Sequence, residues 1–85
     1  MKEPGAHEAY QAARIAFDLG RTVRQLREQR GWSQAELAKA AGMTQSAVAR
    51  FEAGGTIPTL PVIERLARAM DADLTVQVTP RPVVA

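Results

Sequence analysis

Cysteine is absent from this chain of 85 residues, which excludes a disulfide framework, a cysteine-based zinc knuckle and thiol redox chemistry. Aromatic residues are scarce: Tyr10, Phe17, Trp32 and Phe51 are the whole set, so Ala, Leu, Val and Ile must build the core, and helices are the expected architecture. No apolar run approaches the roughly 18 residues of a membrane span, and the start lacks the apolar stretch of a signal peptide. A cytoplasmic protein with no membrane partner is expected. The length falls under the usual ~100 to 200 residues per domain and leaves no room for a large catalytic core. Catalytic groupings are missing as well: there is no Ser/His/Asp set, no phosphate loop with its Lys, and no carboxylate pair on one helical face. The lone His7 lies in a loose leader and reads as neither ligand nor base. The expectation is therefore no enzyme, no cofactor and no metal.

What is present is an uneven charge. The net charge of +2 divides into −1 over residues 1–19, +4 over residues 20–50 and −1 over residues 51–85. A basic middle is the footprint of a face that meets phosphate, and equally of a solvated row of arginines.

Residues 1–6, with Pro4 and Gly5, read as a flexible leader. A helical domain is expected over 7–72. Its first part keeps a 3–4 apolar spacing through Ala9, Ala12, Ala13, Ala16 and Phe17, then Leu19, Val23 and Leu26. Gly20 costs about 1 kcal/mol inside a helix, so a bend or two helices meeting near Phe17 to Gly20 is expected. Ser33-Gln34-Ala35-Glu36 is a capping-box pattern that starts a short helix, and Gly42 ends it. Thr44 then caps a second short helix with Val48 and Phe51 inward. Thr59, followed by Pro61, opens a further helix with Leu60, Ile63, Leu66, Ala67 and Met70 inward. From Leu74 the period becomes two, with Leu74, Val76 and Val78 alternating against Thr75, Gln77 and Thr79. A strand over 73–79 is expected, pairing across a dimer because the chain offers no second strand. Residues 80–85, with Pro80 and Pro82, read as a flexible tail. The fold class expected is all-α, a five-helix bundle plus this strand.

The run from Gly31 to Met70 resembles the helix-turn-helix of the phage-repressor (Xre-type) family, whose fold is lambda-repressor-like. The motifs that carry the likeness are Ser-Gln at a helix start, Glu-Leu-Ala, the turn Gly42, Thr44-Gln45-Ser46, and Phe51-Glu52 before a Gly loop. The helix-turn-helix spans 33–53. In that family the second short helix lies in the major groove. The resemblance implies base contacts from Gln45, Ser46, Ala49 and Arg50, and phosphate contacts from Gln34, Thr44 and Thr56, with Lys39 and Arg24 beyond them. It also implies a structural ion pair between Arg27 and Glu52. Local geometry agrees for positions 45, 46, 49 and 50, which share the helical face opposite Val48 and Phe51. Gln45 suits adenine and Arg50 suits guanine.

The helix ahead of Leu19 and the β-like end after Met70 resemble the antitoxins of HigA type. That resemblance implies a homodimeric repressor on a palindromic operator of double-stranded DNA, acting on its own promoter and neutralising a small ribonuclease toxin. Tyr10, Ile15 and Phe17 are the candidate toxin-binding residues, core extension being the alternative. A stand-alone Xre-type repressor without a toxin is the other reading of the same motifs.

Overall fold

A computed structural model of the chain describes residues 5–83. Four helices follow one another: α1 (Ala6–Gln29), α2 (Gln34–Ala41), α3 (Gln45–Glu52) and α4 (Leu60–Ala69). Local signals set most of their ends. The Ser33 hydroxyl accepts from the Glu36 N–H at 3.1 Å and the Glu36 carboxylate accepts from the Ser33 N–H at 3.0 Å, closing a reciprocal cap on α2. The Thr44 hydroxyl accepts from the Ala47 N–H at 3.1 Å and starts α3. Between them Gly42, at φ 69°, makes the left-handed turn that sets α3 across α2. Thr59 holds the N-cap position of α4, but its hydroxyl makes no capping bond there.

The core gathers one stripe from each helix. Val23, Leu37, Ala38, Ala41, Val48, Phe51, Ile63, Leu66 and Met70 form one buried cluster, with Leu37, Val48 and Leu66 fully enclosed. Each enclosed side chain of this kind contributes roughly 1.5 to 3 kcal/mol. Beyond α4 the chain reverses at Asp71, a non-glycine residue at φ 54°. Arg30 holds that reversal, donating to the Met70 carbonyl at 3.2 Å and lying 3.7 Å from the Asp71 carboxylate, with its guanidinium 4.5 Å above the Trp32 ring.

Two expectations are corrected. The bundle has four helices among the described residues, not five, because α1 runs unbroken through Gly20. Gly20 is there to admit a neighbour: a Cβ at this position would clash with the Phe51 carbonyl oxygen and lie 2.7 Å from that of Glu52. The close approach of the α3 terminus explains the glycine, and no bend is needed. The second correction concerns 73–79. The segment is extended but makes no ladder, and no strand occurs among the described residues. Leu74 packs on the core and is half-buried, whereas Val76 and Val78 stand in solvent. Alternation marks a chain that can pair, but a strand needs a second edge, and this chain supplies none. The expected ribbon between two copies falls with it. The leader reading lies outside the described residues except at Gly5, which precedes α1, and Ala6, which begins it; of the tail, Val84 and Ala85 also lie outside them.

Candidate nucleic-acid interface

α3 has eight residues, and their order divides it into two faces. Val48 and Phe51 are buried, while Gln45, Ser46 and Arg50 are exposed and Ala49 is half-buried between them. The exposed face is thus polar, with one cation at its C-terminal end and a small side chain at its centre. Among the described residues Arg50 makes no ion pair, so its five donors face water.

The C-terminal end of α3 is fastened on its inner side through a carboxylate. Glu52 has 3 % of its side chain exposed. Arg27 donates to it twice, Nε to Oε2 at 2.7 Å and a terminal nitrogen to Oε1 at 3.0 Å, and its other terminal nitrogen donates to the Trp32 carbonyl at 2.7 Å. Gln34, the first residue of α2, donates its side-chain amide to Glu52 Oε1 at 3.0 Å. One carboxylate therefore joins α1, α2 and α3. Burial pushes the Glu52 carboxyl up, but hydrogen bonds from Arg27 and Gln34 and the charges of Arg27 and Arg24 outweigh it and leave it below the ordinary carboxylate range. The hydrogen bond to Glu52 raises Arg27 in turn, against the cost of its own burial.

The residues expected at phosphate are distributed around this frame. Thr44 and Thr56 are exposed at the start of α3 and in the loop after it, and Lys39 is exposed on α2. Arg24 is exposed on α1 and bonded to Glu28 at 3.1 Å, a surface pair that another anion can displace. Gln34 differs, because its amide is engaged inward; what α2 offers outward at that end is the backbone N–H groups of its first turn, with the helix dipole behind them.

Three features were not legible in the sequence: the Gln34–Glu52 bond, the Arg27 bond to the Trp32 carbonyl, and the seat of the α3 terminus on Gly20. Only Gly20 left a signal, a glycine inside an otherwise Ala-rich helix. The residues expected to meet a protein partner do not lie together. Tyr10 and Phe17, seven apart, share one side of α1, while Ile15 faces about 140° to 160° away from them at 100° per residue. Ile15 instead lines an apolar groove of about 500 Å³ with Leu19, Leu60, Ile63, Leu74 and Val76.

The helix-turn-helix domain family matches residues 18–77 of this chain. The chain is also 31 % identical over 66 residues to the HTH-type transcriptional regulator SutR of Escherichia coli (strain K12), an alignment that covers 78 % of this chain and 37 % of the relative. The chain thus spans little more than a third of that relative's length. No helix among the described residues is long and apolar enough to cross a membrane.

Proposed function

From the premise that the chain belongs to the helix-turn-helix domain family, we propose that it is a sequence-specific DNA-binding transcriptional regulator, a repressor working in the cytoplasm and not an enzyme. The observation that carries this reading is the exposed polar face of α3, with Gln45, Ser46 and an unpaired Arg50 on a helix whose other side is locked into the core. Gln45 offers an amide that fits the N6 and N7 edge of adenine, and Arg50 a fork that fits O6 and N7 of guanine. Half-buried Ala49 leaves room for a base to approach, and Ser46 adds an adaptable donor. Thr44, Thr56, Lys39, Arg24 and the N-terminal turn at Gln34 would hold phosphates and fix the register without reading sequence.

Four side chains on eight residues address only a few base pairs. Selectivity for a single operator therefore calls for two copies on a palindrome with half-sites about 34 Å apart. The expected result of selecting from random duplexes is a symmetric consensus. Gln45→Ala and Arg50→Ala should each relax one position of it, with a loss of about 1 to 3 kcal/mol of discrimination. Failure to enrich any sequence would reject the reading.

The groove at Ile15, Leu60 and Val76 favours a finer version in the Xre-type, HigA-like sense: a regulator that also binds and neutralises a small ribonuclease toxin encoded beside it. An exposed apolar concavity is what a protein partner covers. Ile15→Glu should abolish toxin neutralisation while leaving operator binding intact; neutralisation that survives this change puts the toxin on another surface, and a wild type that neutralises no neighbouring gene product leaves the stand-alone repressor.

A further inference from the structure

The first half of α1 lies ahead of the family match, which begins at residue 18. Before Ala16 no described residue of that helix is buried. A helical segment of about ten residues is marginal by itself in water, and this half gains little from packing. Its exposed side is not random. Tyr10, Arg14, Phe17, Arg21 and Arg24 fall within a sector of about 80° at 100° per residue, so they form one stripe along the helix. Tyr10 is 65 % exposed and Phe17 56 %, and the three arginines are exposed. Among the described residues Arg14 and Arg21 make no ion pair, and Arg24 has only its surface bond to Glu28.

The stripe starts where the candidate interface ends. Gly20 receives the Phe51 and Glu52 carbonyls, and the Cβ position of Gly54, in the turn that leads to Thr56, lies 3.0 Å from the Phe17 Cα. The arginine side of α1 is therefore continuous with the end of α3 and with the loop beyond it.

The geometry points to α1 as a second DNA-contacting element, lying along the phosphate backbone outside the base pairs that α3 reads, with Arg14 and Arg21 each holding a phosphate. From Arg14 to Arg24 the helix rises about 15 Å. Over that length one strand of duplex presents about four phosphates, at one per 3.4 Å of axis. Arginine suits them because its planar fork takes two phosphate oxygens at once, and the Tyr10 hydroxyl adds a donor at the far end. Ile15, Leu19 and the apolar groove stay on the other side of the helix, free of DNA.

This inference rests on the DNA-binding reading above, and salt dependence separates the two. Each phosphate contact adds about 0.9 to the slope of log affinity against log salt. With Arg14→Ala/Arg21→Ala the slope should shrink by nearly two. Between about 50 and 200 mM salt the wild-type affinity should then fall about tenfold more than that of the variant. The selected consensus and the melting temperature should not change, since both side chains are exposed and phosphates carry no sequence. Arg14→Lys/Arg21→Lys should restore most of the slope. Wild-type protein that binds its site with a slope unaltered by the alanine pair overturns this inference alone. Wild-type protein that binds no duplex overturns the DNA-binding reading, and the inference with it.

Discussion

Glu52 accepts three hydrogen bonds in a place where water has almost no access, and it is the residue on which the placement of α3 depends. Removing either member of such a pair leaves the other charged and unpaired, which costs about 3 to 5 kcal/mol. Glu52→Ala and Arg27→Ala should both lower the melting temperature and weaken DNA binding only as far as they unfold the protein. An unchanged melting temperature would show that the pair does not hold the fold. The carboxyl also ties stability to pH. Its folded value lies below the ordinary 4.5, so its contribution is complete above 4.5 and is lost as the pH falls through the folded value. Thermal unfolding of the wild type should steepen its pH dependence in that acid window, and Glu52→Gln should flatten it.

Among the elements, α1 shows the strongest conflict between local preference and packing. Alanine is the better helix former at position 20 by about 1 kcal/mol. Packing decides otherwise, because the new methyl group would have to push back the carbonyls that end α3. Gly20→Ala should therefore destabilise the protein by about 1 to 3 kcal/mol net, read from denaturant midpoints, the cost of forcing an extra methyl into a tight contact. A stabilised variant would mean that α3 does not sit on this glycine. The same contrast explains what could be read from the sequence. The caps at Ser33 and Thr44, the turn at Gly42 and the two faces of α3 depend on neighbours within four residues, so the order of residues declares them. The Gln34–Glu52 bond joins positions 18 apart. The fate of 73–79 depends on a pairing edge, which alternation in Leu74, Val76 and Val78 does not supply. The split of Tyr10 and Phe17 from Ile15 follows from helical spacing alone, once the helix is known to be unbroken.

At the scale of the whole molecule, about 50 × 26 × 20 Å, α1 is the longest element, rising about 36 Å over its 24 residues, and has two flanks. One carries Arg14, Arg21 and Arg24 next to the end of α3; the other borders the apolar groove. Arg14 and Arg21, unpaired among the described residues, thus lie on one flank together with exposed Tyr10 and Phe17, and the apolar groove lies on the other. α3 is proposed to enter the major groove with Arg50 on a guanine. Methylation interference on the selected operator tests it most directly, since methylation at guanine N7 alters only the major groove and methylation at adenine N3 only the minor. An N7 methyl on one guanine of the site should block the wild type and leave the residual binding of Arg50→Ala unaffected. Wild-type binding that tolerates N7 methylation throughout, and is blocked only by methylation at adenine N3, would contradict it.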